Sequence, residues 1–88
     1  MNDTTSDIAW RNARELDLTG LKCPLPSLMT AKALRTMAEG ERLAVTATDP
    51  LAPLDLRHLC AREGHAILAE DQKENGARRL LIRRGPRI

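Results

Sequence analysis

The sequence predicts an α+β fold: a two-layer α/β sandwich of order β-α-β-α-β-β, with a four-stranded mixed sheet and two helices packed on one face. Three observations carry this. Short stretches alternate apolar and polar residues with the period of a half-buried strand. Two longer stretches place apolar residues at helical spacing, each with a proline where a first helical turn belongs. Asn75-Gly76 separates the last two strand-like stretches as a hairpin signal.

The elements follow in order. Glu15-Leu16-Asp17-Leu18 alternates and reads as the first strand, and Thr19 to Lys22 as a loop. Cys23 is expected at the N-cap of the first helix and Pro24 at its first position, where a missing N–H costs nothing. Met29, Ala33 and Met37 recur at i, i+4, i+8, with Leu25 and Leu34 nearby, and Gly40 is the expected stop. Leu43, Val45 and Ala47 alternate with Arg42, Ala44, Thr46 and Thr48 as a second strand, which Asp49-Pro50 breaks. Pro53 opens the second helix, Leu56, Leu59 and Cys60 form its apolar stripe, and Gly64 ends it. Ala66 to Asp71 and Arg78 to Arg84 are the last strands, joined by a type I′ turn at Asn75-Gly76. The first β-α-β is expected as a right-handed parallel crossover and the last pair as an antiparallel hairpin.

Length and composition bound the function. Eighty-eight residues make one domain, expected over residues 14–85, with a flexible tail at 1–13 and a short one at 86–88. With 42% hydrophobic and 30% charged residues the chain reads as soluble and globular. No apolar run approaches the ~18–20 residues of a membrane span, and Met1 to Thr5 has neither a basic nor an apolar region of a signal peptide. A cytoplasmic protein with two free thiols is the expectation. The net charge of +2 is mild, but residues 78–88 hold five arginines and no acid. Trp10 is the only aromatic residue, so the base-stacking platforms of single-strand RNA readers are missing, and direct nucleic-acid binding is not expected. Trp10 itself reads as an anchor for the tail or a partly exposed residue.

No glycine-rich phosphate loop occurs, and Cys23, Cys60, His58 and His65 lack metal-ligand spacing. No cofactor or metal is expected. Chemistry concentrates at Cys23-Pro24-Leu25-Pro26. A cysteine at a helix N-terminus is favoured as thiolate by the unpaired N–H groups there, and such a thiol accepts sulfane sulfur as a persulfide. The two prolines stiffen the turn and aim the sulfur, yet they remove two of those N–H groups. Lys22 adds a positive charge beside it. The bland alternative is an inert capping cysteine. Cys60 reads as packed core.

The stretch Leu16-Asp17-Leu18-Thr19-Gly20-Leu21-Lys22-Cys23-Pro24-Leu25-Pro26 resembles the signature of the TusA/SirA/YhhP sulfur-carrier family, a strand and glycine-containing loop leading to Cys-Pro-x-Pro. Asp49-Pro50 with Asp55, Leu59-Cys60 with Gly64-His65, and Leu81-Ile82-Arg83-Arg84-Gly85 resemble further family segments, so the likeness covers roughly residues 15–85. It implies the same two-layer sandwich and a sulfurtransferase without a cofactor. Cys23 would take persulfide sulfur from a cysteine desulfurase or rhodanese-like donor and pass it to a downstream acceptor protein. The best-known branch of the family ends in 2-thiolation of the tRNA wobble uridine; others serve molybdenum-cofactor assembly or oxidation of reduced sulfur. Lys22, Pro24, Leu25, Pro26, Asp49 and Asp55 are the expected binding surface around Cys23. Leu25 stands where the tRNA branch often has Glu, and Leu54 where it often has Arg. A monomer suits a shuttle.

The remaining signals have plainer readings. Asp49 reads as a turn residue and Asp55 as a first-turn helix acid favoured by the dipole. The arginine-rich C-terminus reads as a solvated strand face or a contact for an acidic protein. His58 and His65 read as partly exposed structural residues. The competing function is a non-catalytic binding or regulatory module that contacts RNA or an acidic protein through those arginines.

Overall fold

The computed structural model describes residues 10–86. Its elements are β1 (Arg14–Leu18), α1 (Leu25–Arg35), β2 (Arg42–Ala47), α2 (Ala52–Glu63), β3 (Ala66–Gln72) and β4 (Arg78–Arg83). The sheet has the order β1-β2-β4-β3. β1 lies parallel to β2, with Leu16 opposite Val45. β4 runs antiparallel to both β2 and β3, with Leu80 opposite Val45 on one side and Glu70 on the other. The expected α+β architecture, four-stranded mixed sheet and element order are all present. The expected tails at 1–13 and 86–88 fall largely outside the described residues.

The two helices pack on each other and share one core with the sheet. Leu18, Leu43, Val45, Leu80 and Ile82 from the strands meet Leu34, Leu56, Leu59 and Cys60 from the helices. Each fully buried Leu or Ile contributes roughly 1.5–3 kcal/mol of apolar transfer free energy. In β2 Ala44 is buried too, although it points to the opposite face; it is opposite Leu81, also buried. β2 is a central strand, and strict alternation underestimates burial there.

Three local expectations are corrected. First, α1 starts at Leu25 and ends at Arg35, with Thr36 as C-cap, so Gly40 is not its stop. Gly40 instead adopts φ 89° in the following loop, where its N–H donates to the Arg84 carbonyl at 2.9 Å. Second, Ala33, Leu34 and Met37 are buried as expected, but Leu25 and Met29 are 44% and 39% exposed, and Pro26, Thr30 and Ala31 complete the buried face of α1 instead. Third, the β3–β4 turn is not type I′. That turn requires positive φ at both central residues, and Asn75 has none. The chain instead turns through Glu74 and Asn75, with Gly76 at φ 90° and its N–H on the Lys73 carbonyl. The Asn75 Oδ1 accepts from the Ala77 N–H at 3.0 Å, so this residue serves as a local acceptor.

α2 ends as expected on Gly64, at φ 82°. Beyond β4 the chain closes back on the start of β2: the Arg84 N–H donates to the Glu41 carbonyl at 2.8 Å. The Gly85 N–H donates to His65 Nδ1 at 2.9 Å. As a residue His65 is of intermediate burial, as expected, with its imidazole only 3% exposed, and His58 is exposed.

The arginine-rich strand is solvated only in part: Arg83 is exposed, while its other described arginines have partners in the chain. Arg78 and Arg57 both pair with Glu70. Arg79 pairs with Glu15 at 3.2 Å, and its guanidinium lies 4.4 Å from the ring centre of Trp10. Arg84 is buried and donates to the Gly85 carbonyl. These charges are engaged within the fold, and Trp10, half-buried, is held at the sheet by Arg79.

Candidate functional site

Parallel pairing of β1 and β2 brings their C-terminal ends to one pole of the molecule, and the chain leaves each of them toward a helix start. Cys23 sits at this pole, exposed to solvent. The helix start itself differs from expectation. Pro24 is the N-cap, with φ −98° and ψ 12°, the Cys23–Pro24 bond is cis, and Cys23 lies one residue before the cap. Pro26 occupies the first turn, so two amides are missing, and the Leu25 N–H donates back to the Lys22 carbonyl at 2.8 Å.

The loop is fixed from β2 and α2. The Gly20 N–H donates to Thr48 Oγ1 at 2.9 Å. The Cys23 N–H donates to Asp49 Oδ2 at 2.7 Å, while Asp49 Oδ1 accepts from the Leu51 N–H at 2.9 Å. One carboxylate therefore clamps the Cys23 backbone to the entry of α2. Those two bonds, with the nearby Lys22 ammonium, hold the Asp49 carboxyl below its ordinary pKa of 3.8. The Cys23 thiol donates to Asp55 Oδ2 at 2.9 Å.

This contact overturns the expectation of an acidified thiol. The Cys23 pKa is raised from 9.0: the hydrogen bond to Asp55 favours the protonated form, some desolvation adds to it, and the charges of Asp55 and Asp49 follow. The physical reason is visible in the helix start. The amides that would stabilise a thiolate are absent at Pro24 and Pro26 or spent on Lys22, while two carboxylates stand where the field was expected to be positive.

Apolar side chains border the thiol. Leu25 and Leu28 at the start of α1 are 44% and 58% exposed, and Leu51 and Leu54 at the start of α2 are 56% and 50% exposed. Uncovered leucines on both helix starts that flank one thiol form a surface suited to a protein partner. Cys60 differs in every respect. It is buried in the core, and desolvation with the nearby Glu63 pushes its pKa up to about 11.

The match to known proteins is extensive. The family model described as Sulfurtransferase TusA matches residues 14–84. The chain belongs to the TusA family. Two candidate sulfur carrier proteins of Neisseria meningitidis, from serogroups A and B, are each 44% identical over 71 residues, covering 81% of this chain and 95% of theirs. The crystal structure of a SirA-like protein from Desulfitobacterium hafniense is similar with a TM-score of 0.73 and 25% identity, over 82% of this chain and 97% of that one. Membership of the TusA family gives the chain a sulfur-transfer role that involves a sulfur donor and an acceptor.

Of the residues expected at the site, Cys23, Asp49 and Asp55 are brought into direct hydrogen bonding. Lys22 and Leu25 flank them in the exposed loop and first turn, whereas Pro26 is buried. Sequence reasoning missed Thr48, which anchors Gly20, and the exposed Leu28 and Leu51. Thr48 carried a signal in principle: a hydroxyl just past a strand end is placed to hold a neighbouring loop. Among the described residues no group of three or more His, Cys, Asp or Glu is placed to hold a metal ion, and no helix is long and apolar enough to cross a membrane.

Proposed function

We propose that Cys23 is the sulfur-accepting nucleophile of a persulfide carrier, loaded by a cysteine desulfurase or rhodanese-like protein and unloaded to a downstream acceptor protein. The observation that carries this is an exposed thiol whose backbone is clamped by Asp49 and whose surroundings are open leucines on two helix starts. A transferable persulfide must meet a partner's sulfur in line, and a protruding, fixed thiol within an apolar docking rim meets that need.

The exchange balances without an external oxidant. The Cys23 thiolate attacks the terminal sulfur of a donor persulfide. The new bond joins Cys23 Sγ to that sulfur, the donor's S–S bond breaks, and its electron pair leaves on the donor thiolate. The proton released by Cys23 matches the one the donor thiol regains. Unloading is the same step with the acceptor cysteine as attacking group. Asp49 fixes the trajectory, and Leu25, Leu28, Leu51 and Leu54 supply the contact. Work in a reducing compartment as a monomer, with Cys60 spectating in the core, belongs to this reading. Thiolation of the tRNA wobble uridine is one end point such a relay reaches.

The binding-module alternative finds less support, because Arg78, Arg79 and Arg84 have partners within the chain, although Arg83 is exposed. The test is mass analysis of reduced protein after incubation with a cysteine desulfurase, pyridoxal phosphate and cysteine, and separately with polysulfide. The expected result is one added sulfur atom at Cys23, removed by reductant and absent from Cys23→Ser. No addition from either source would overturn the carrier reading.

A further inference from the structure

The thiol that is to act as a nucleophile donates its S–H to a carboxylate, and the residue responsible is specific. Asp55 Oδ2 accepts the Cys23 S–H at 2.9 Å, and Asp49, 2.7 Å from the Cys23 nitrogen, adds a second negative charge on the same side. The charged groups bearing on this thiol are thus Asp55 from the first turn of α2 and Asp49 from the β2–α2 turn, with Lys22 offset toward Asp49. Asp49 is tied by two backbone amides and stands near Lys22, so it already has partners within the fold. Asp55 stands at the exposed thiol and directly follows the exposed Leu54 in the chain.

We propose that Asp55 is a positioning residue that keeps Cys23 as a thiol until a sulfur-bearing protein brings a cationic side chain to Asp55, so that the thiolate forms only in the docked complex. The proposal rests on Cys23 being the reactive group. Its specificity follows from charge. A donor or acceptor with an arginine or lysine beside its own cysteine neutralises Asp55, frees the S–H from its acceptor and makes ionisation easier, whereas a partner with an acidic surround adds a third negative charge and is refused. The proton leaves Cys23 for solvent or for the departing donor thiolate. No step uses Asp55 as the final proton acceptor. The benefit is protection: an exposed cysteine that is not a thiolate reacts slowly with small disulfides and oxidants, since the thiolate is the nucleophile.

The experiment compares wild-type protein with Asp55→Asn and Asp55→Glu in two assays. The first is the pH dependence of alkylation of Cys23 by iodoacetamide. Asp55→Asn is expected to move the midpoint to lower pH and to react several-fold faster near pH 8, with Asp55→Glu staying close to wild type. The second is thiol–disulfide exchange with cystamine, which is cationic, against dithiodiglycolate, which is anionic, each normalised to its rate with mercaptoethanol. Wild type should favour cystamine by about fivefold at low salt, the factor expected when one charge roughly 8 Å away attracts the cation and repels the anion in water. Salt and Asp55→Asn should each cut that preference by more than half. Coincident pH profiles for wild type and Asp55→Asn, or a charge preference insensitive to the substitution, would overturn the proposal. If Asp55→Asn fails to fold by circular dichroism, the wild-type salt dependence and Asp55→Glu decide: a wild-type preference unmoved by salt overturns it. Polysulfide loading of wild type runs in parallel. Failure to load overturns the carrier reading, while the two exchange assays still decide the role of Asp55.

Discussion

Two cysteines of the same chain are placed in opposite circumstances. Cys23 is exposed and hydrogen-bonded to a carboxylate, while Cys60 is 2% exposed and its pKa is pushed up to about 11. Native protein at pH 8 is therefore expected to take up one equivalent of iodoacetamide, at Cys23, and the second only in denaturant. Peptide mapping checks it, and rapid labelling of Cys60 in native protein would contradict the burial. At this scale Cys23 was legible, because Cys-Pro-x-Pro announces a constrained sulfur. Its acid–base state was not. Asp55 lies 32 positions away in the sequence and reaches the thiol only through the packing of α2 beside α1. Read alone it is an ordinary first-turn helix acid, and nothing local marks it as an acceptor for sulfur.

Periodicity carries the reading of the elements, and it falls short in two ways. Alternation and i, i+4 spacing locate a strand or helix but fix its phase only to within a residue. Hence Met29 was placed in the core while Thr30 is buried there in its stead. The closure after β4 was missed entirely, because its bonds join Gly85 to His65 and Arg84 to Glu41 across the sheet. That closure makes a sharp prediction. A Cβ on Gly85 would lie 1.8 Å from the Gly64 carbonyl oxygen, a backbone atom that cannot move aside. Gly85→Ala should cost about 1–3 kcal/mol through overpacking, measured by urea denaturation. By comparison Leu56→Ala, at a fully buried site on α2, should cost about 2–5 kcal/mol by leaving a cavity. A Gly85→Ala protein as stable as wild type would show that the last residues do not seal the core.

The whole molecule has a window of pH stability set by groups of known direction. His65 has its pKa lowered from 6.5, first by burial and then by Arg84, against a smaller opposing effect of Glu63. Its Nδ1 accepts from Gly85, a role only the neutral ring fills. Because the unfolded chain binds this proton first, the stability His65 carries is complete above pH 6.5 and is lost as pH falls below it. Asp17 and Asp49, both lowered from 3.8, add a further loss at stronger acidity. On the alkaline side Cys60 runs from 9.0 to about 11 and Cys23 is raised from 9.0, so stability is lost as pH climbs past 9.0. The thermal midpoint should be highest between about pH 6.5 and 9. His65→Asn, which keeps an acceptor near the Nδ1 position, should remove the first acid step. Cys60→Ala should flatten most of the alkaline fall, whatever it does to the height of the curve. A midpoint that rises between pH 6.5 and 5 would contradict the assignment of His65.

The β4 strand has a geometric consequence for handling the molecule. Its last residue, Arg83, is opposite Arg42 at the start of β2, whereas Cys23 lies past the end of β1, beside the end of β2. A six-residue strand spans roughly 20 Å, so Pro86 and the thiol are at opposite ends of the sheet. A surface, bead or fused domain attached beyond Pro86 is anchored at the pole remote from the chemistry. A chain immobilised in that way presents its sulfur outward to whatever flows past it.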